Sequence, residues 1–333
     1  MKIKKYFLIL FFSLFGTYLF SIDFSVDLTP HLGINYGSLK EELIADINHK
    51  NETVSLLDWP MNNILFTGLS ADFIINNNIS FILCGDYKIP FNYSCGLMKD
   101  YDWMNFYSTG TDELNRYSQH ENKLKNAYSF DAELGYLFNI KERIQIKPSC
   151  SINYDYTKLT SYNGYRQYAD KIGVRNNNDI YAKWTSDIPK KDLSGKKIIS
   201  YEMSNLFAGF GLQLNATITQ KLNLEFSEDI LAALSSQSKD THHQRKITDY
   251  ENYFLFDFAN KLAFITQLSI KYKVDDKGSF VFGSSFFYSS AKGLMYAKPV
   301  LKIDYDWILQ DNKIKETFKL FKIYAGYSYV FKK

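Results

Sequence analysis

Two short stretches carry residues able to do acid–base work on water. Asp100 and Asp102 stand in Lys99-Asp100-Tyr101-Asp102-Trp103-Met104, and Asp240 and His242 in Lys239-Asp240-Thr241-His242-His243. In an extended segment side chains alternate sides, so the members of each pair point the same way, about 7 Å apart. If the pairs face each other, four titratable groups surround one space that could hold a water. Taken singly, each stretch also has a plainer reading. An Asp-x-Asp in a surface loop reads as solvated charge or a turn. His242 and His243 could join His120 at a metal, since His is a common ligand, but no third ligand stands at defined spacing and none is assigned.

The elements that would position these residues are strands. The 333-residue chain is 46% hydrophobic, yet its mean hydropathy is −0.27. Its 26 Tyr and 27 Phe exceed what a soluble α/β protein of this length would use, and they suit strands with one apolar and one wet face. A net charge of +3 without a basic stripe gives no support for a nucleic-acid partner. Cys84, Cys95 and Cys150 are an odd set without metal spacing and read as small buried or lipid-facing side chains.

Residues 1–21 have the form of a signal peptide. Lys2, Lys4 and Lys5 precede the largely apolar run from Tyr6 to Phe15, and Gly16, Thr17 and Ser21 are the small residues near a cleavage point. Export of residues 22–333 is the expectation. No later run is long and apolar enough for a helical span.

Beyond the signal, alternation repeats. Leu262, Phe264, Leu268, Ile270 and Tyr272 share one face against Gln267, Ser269 and Lys271; Phe130, Ala132, Leu134, Tyr136 and Phe138 form a second such row. Leu301, Ile303, Tyr305 and Trp307 oppose Lys302, Asp304 and Asp306. Charges on one face of so many strands require a wet interior, which is the dyad pattern of a transmembrane β-barrel.

About ten strands are expected, near 24–44, 53–74, 79–97, 124–139, 143–163, 197–217, 220–237, 246–273, 278–306 and 314–331. Tight turns at 76–78, 139–142, 219–221 and 275–278 alternate with longer polar stretches near 45–52, 98–123, 164–196, 236–247 and 307–313. The fold class is thus all-β, an antiparallel up-and-down barrel with long loops at one end. On that topology both acidic pairs fall in long loops at the same mouth.

The residues at this mouth resemble the omptins, outer-membrane endoproteases of Gram-negative bacteria. The resemblance is carried in order by Leu57-Asp58-Trp59, Asn62-Asn63, Asp100-Tyr101-Asp102-Trp103-Met104, Thr111-Asp112-Glu113, Phe130-Asp131, Ser235-Ser236, Asp240-Thr241-His242 and Lys246-Ile247-Thr248. The end of the chain, Tyr324 to Phe331, is similar to the aromatic last strand of outer-membrane proteins, with Lys332 and Lys333 trailing it. The stretch near 164–196 matches poorly.

The resemblance implies a ten-stranded barrel with its site facing outward, peptide or protein substrates, no metal or cofactor, and catalytic roles for Asp100, Asp102, Asp240 and His242. The chemistry fits those residue types. Asp240 would orient His242 and support its cation while the imidazole takes a proton from water. Asp100 and Asp102, too close to ionise together cheaply, would share a proton and help bind the water or the oxyanion. Ser118 and His120 resemble omptin loop positions but receive no role.

Glu41 resembles the acid that holds a basic side chain before the cleaved bond; its plainer reading is an exposed Glu near a strand end. The second acid of that pocket should lie just before Asp240, where this chain has Ser236-Gln237-Ser238-Lys239, with Lys239 expected to repel a basic substrate. Cleavage after basic residues is the family-based expectation, with Asp112 and Glu113 able to compensate. Omptins also depend on lipopolysaccharide held by basic residues of the outer wall; Lys147, Lys158 and Arg166 are the basic residues in the region. The alternative to a protease is a barrel serving as adhesin or small channel. The polar, filled interior expected of a narrow barrel disfavours the channel.

Overall fold

The computed structural model describes residues 23–47, 49–90, 93–175, 177–244, 250–299 and 308–332. The expected signal peptide, the Lys246-Ile247-Thr248 match and the 301–307 alternation lie outside them. The strands are β1 (Phe24–Ile47), β2 (Lys50–Ile75), β3 (Ile79–Lys88), β4 (Gly96–Asp102), β5 (Arg116–Tyr136), β6 (Phe138–Lys141), β7 (Ile144–Tyr168), β8 (Lys171–Arg175), β9 (Asn178–Tyr181), β10 (Lys191–Asp192), β11 (Lys197–Thr217), β12 (Leu222–His242), β13 (Tyr250–Asp257), β14 (Leu262–Lys273), β15 (Gly278–Pro299) and β16 (Ile308–Lys332).

Antiparallel pairing runs β1, β2, β3 with β4, β5, β7, β11, β12, β13 with β14, β15 and β16, and β16 returns to pair β1. These are ten staves of a closed barrel, so no sheet edge is left to lipid. Two staves are broken in two. The strand expected over 79–97 is β3 and β4, both paired with β2 and β5, and the one expected over 246–273 is β13 and β14, both paired with β12 and β15. Pro90, which has no amide hydrogen for the ladder, stands in the first break.

Side chains on the outer face of the lower half are apolar and exposed, among them Leu32 at 68% and Phe210 at 73%. Tyr87 and Tyr128 stand toward one rim of this band, Tyr136, Tyr272 and Tyr329 toward the other. Exposure of that much apolar surface in a closed barrel is the mark of a lipid-facing wall.

Three layers fill the interior. The lower one is polar: Lys322 pairs with Asp86 at 2.5 Å, His31 Nε2 lies 2.8 Å from the same carboxylate, Lys88 pairs with Asp155 at 3.2 Å, and Lys271 pairs with Asp27. These groups line a cavity of about 450 Å³. Lys147, expected near the outer wall, belongs here instead, buried and 2.7 Å from Glu133, because period two turns its side chain inward. Above lies an apolar layer in which Leu39, Trp59, Met98, Tyr201, Phe256 and Phe318 are buried. The third layer, above the apolar one, holds Glu41, Asp100 and Asp240.

The strands continue past the lipid band, which changes one expectation. Asp100 and Asp102 lie on β4, and Asp240 and His242 at the end of β12, on strands rather than in loops. Ladder bonds therefore hold each pair: Asp100 is in register with Leu57 and Ser118, Asp240 with Tyr201 and Phe254.

Candidate active site

β12 brings Asp240 and His242 to one face, and His242 Nε2 lies 2.5 Å from Asp240 Oδ2. Asp240 is buried; its other oxygen, Oδ1, has no hydrogen-bond partner among the described residues. A buried acceptor left this way needs a donor from water or a ligand. His242 is partly exposed and its ring lies edge-on to Phe254, 6.2 Å between centroids.

β4 carries Asp100 and Asp102 toward the same space. Burial, and then the charge of Asp102, hold the Asp100 carboxyl well above the usual carboxylate range, with Asp240 adding to the rise and His242 opposing it. Asp100 thus feels the charges of both members of the other pair. Tyr168, at the end of β7, is pushed up to about 12 by burial and by Asp100 and Asp102.

Ser118 and His120 on β5 extend the site. Ser118 Oγ lies 3.4 Å from Asp100 Oδ2 and 2.9 Å from His120 Nε2, while His120 Nδ1 lies 2.6 Å from the Asn163 carbonyl oxygen. A carbonyl only accepts, so Nδ1 carries hydrogen. Burial lowers the His120 pKa, favouring the neutral ring, whose Nε2 then accepts. Ser118 has one proton for two neighbours. An ionised Asp100 takes it, whereas a protonated Asp100 donates to Oγ and leaves the hydroxyl proton for His120.

The backbone is shaped to make this contact. Gln119 pairs with Tyr165 and Glu121 with Tyr162, so Asn163 and Gly164 bulge opposite His120 with φ of 54° and 85°. A Cβ at Gly164 would stand 1.9 Å from the Gln119 carbonyl oxygen, which only glycine avoids.

Glu41 on β1 is buried, not an exposed strand-end residue, and its Oε2 has no hydrogen-bond partner among the described residues. Burial raises its pKa well above the ordinary value, and the charges of Asp240, Glu316 and Asp100 add to the rise. Its register partner Leu57 is also that of Asp100, so Glu41 stands two strands away from Asp100 in the same ladder row. Lys239 alternates away from this space: its ammonium lies 4.2 Å from the Tyr253 ring centroid on the other face of β12. Ser238 faces inward and donates to Glu316 Oε2. Asp112 and Glu113 are exposed. The histidines weighed as a metal set are each engaged by protein, His243 Nε2 lying 2.9 Å from Ser200 Oγ.

The site missed from the sequence is the Ser118–His120–Asn163 contact and the arrival of Glu316. Ser118 and His120 show period-two spacing like the acidic pairs, but nothing local marks Asn163 or Glu316, which reach the site from other staves. Among the cysteines, Cys95 is buried, Cys150 exposed on the wall and Cys84 partly buried against the lower lumen; all three are free.

A sequence model of the Omptin family matches residues 22–317. Among solved structures, the outer membrane protease OmpT of Escherichia coli is similar at a TM-score of 0.74 and 18% identity, over 93% of this chain and 97% of that one. The translocator domain of the autotransporter NalP from Neisseria meningitidis matches at 0.34 and 7%, over 92% and 88%. The outer membrane protein OprG from Pseudomonas aeruginosa matches at 0.34 and 8%, over 93% and 96%. No curated protein compared with the chain matches it.

Proposed function

The chain belongs to the omptin family, and on that premise we propose that it is an outer-membrane endopeptidase whose outward-facing site hydrolyses peptide bonds with an activated water. The observation that carries this reading is the Asp240–His242 contact at 2.5 Å beside a partly buried Asp100. Asp240 fixes the imidazole through Nε2, so Nδ1 takes the proton from water. The protonated Asp100–Asp102 pair donates to the oxyanion as the water oxygen bonds to the carbonyl carbon. His242 then returns its proton to the leaving amine as the C–N bond breaks. One water is consumed and no acyl-enzyme forms.

Lipopolysaccharide is part of the same reading. Lys158 pairs with Glu202 at 2.7 Å on the outer wall, Tyr156 donates to Glu202 at 3.3 Å, and Tyr128 stacks on Tyr156 at 5.2 Å. These are partly exposed groups above the apolar band, suited to a lipid phosphate. The apolar layer beneath the site supports a closed interior over a channel.

The test is to refold the barrel in detergent with and without lipopolysaccharide and to present a mixed peptide library, with Asp100→Ala alongside. Cleavage by the parent and its loss in the variant are expected. Absence of cleavage in the parent, or equal cleavage by the variant, contradicts the reading.

A further inference from the structure

Among the interior ion pairs that the mechanism does not use, one touches the site. Lys261, between β13 and β14, and Glu316 on β16 are both fully buried and pair with each other on the inner side of β15. The Lys261 ammonium also donates to Asn205 Oδ1 at 3.0 Å and lies 5.2 Å from the Phe258 ring centroid. The other Glu316 oxygen accepts from Tyr201 Oη at 2.6 Å and from Ser238 Oγ at 2.5 Å. Every donor Glu316 needs thus comes from inside the protein.

This network sits against Glu41. Glu316 is the register partner of Glu41 across the β1–β16 ladder, and Ser238 stands two residues before Asp240 on the same face of β12. Ser238 occupies the stretch where a second acid was sought in the sequence. A second carboxylate is present after all, delivered by another stave, but it already holds a cation. We propose that Lys261 is a specificity-determining residue, its ammonium occupying Glu316 so that the pocket beside Glu41 takes an uncharged side chain flanking the cleaved bond.

The physical reason is charge accounting in a dry site. A basic side chain entering beside Glu41 would find one carboxyl without a partner and would bring its own charge close to a fixed ammonium. An uncharged side chain avoids that repulsion. Glu41, whose surroundings favour its protonated form, can donate it a hydrogen bond.

The inference rests on the protease reading, and one experiment separates the two. Matched peptides carrying arginine, citrulline, lysine or norleucine before a single scissile bond are given to the parent, Lys261→Met, and the double variant Lys261→Met/Glu316→Gln, with cleavage and equilibrium binding both measured. The parent is expected to cut citrulline and norleucine peptides at least as well as their charged counterparts. Lys261→Met, which releases Glu316, is expected to raise the arginine-to-citrulline ratio of kcat/KM roughly tenfold or more, as one charge-assisted contact allows. The double variant removes both charges, folds without a buried lone carboxylate, and is expected to return to the parent ratio. A purely structural ion pair would shift all four peptides together. A parent that prefers arginine tenfold, or a ratio unchanged in Lys261→Met, overturns the inference alone. A parent that neither cuts nor binds any peptide overturns it together with the protease reading.

Discussion

Asp100 pays a stability penalty for its position whenever it is ionised, because burial and Asp102 raise its pKa. A folded-state value above the unfolded one means that the native state binds more protons between the two. Its contribution is therefore fully present below the ordinary carboxylate range and is lost as pH rises through the raised value. Glu41 acts in the same direction. Urea midpoints measured against pH should fall more steeply in that window for the parent than for Asp100→Asn, and at alkaline pH the variant should be at least as stable while losing activity. A variant less stable at alkaline pH would show that Asp100 is held ionised at no cost.

At the scale of elements, the mouth is built by strands that outrun the membrane and by loops bonded to one another. Asn105, in the 3-10 turn Met104–Tyr107 after β4, donates to the Tyr181 carbonyl at 2.7 Å and accepts from the Tyr181 amide at 2.8 Å. Asn115 donates to the Ala182 carbonyl at 2.9 Å. The β8–β9 hairpin is thereby tied to the segment that follows Asp102. Asn105→Ala removes both bonds to Tyr181 and should lower kcat/KM by about fivefold to fiftyfold through misplacement of Asp100 and Asp102, as small displacements do. The unfolding midpoint of the barrel should barely move. Equal losses in activity and midpoint would mean that the tie supports the wall rather than the site.

Strand alternation made most staves legible in the sequence, because a side-chain period of two survives wherever one face meets lipid. The pairs Asp100/Asp102 and Asp240/His242 were legible for the same reason. What alternation hid were the breaks near Pro90 and between β13 and β14, where both halves keep their pattern. It also hid the strand tips, since polar residues above the membrane read as loop. Glu316 could not be assigned from sequence because its meeting with Lys261 and Ser238 depends on closure of the ring.

For the whole molecule, the wall and the interior obey opposite rules at the same height. Leu212 on β11 is 54% exposed in the apolar band, whereas Gln213, next to it, lines the lower cavity. Leu212→Arg should destabilise the barrel in lipid by roughly 2–4 kcal/mol, the cost of a charge near the bilayer midplane, while Gln213→Arg should cost much less. Unfolding titrations in vesicles check both, and equal costs would place Leu212 outside the lipid. The polar lumen, the apolar layer and the acidic mouth are thus three environments stacked within one wall.

The most direct measurement is the rate of peptide cleavage by His242→Ala beside the parent, both refolded into the same lipopolysaccharide-containing detergent and matched for barrel content. On the proposed mechanism, in which His242 is the general base, its loss should lower kcat by about 10²–10⁴, with the folded fraction unchanged. A variant that cleaves within threefold of the parent would contradict water activation at the Asp240–His242 pair.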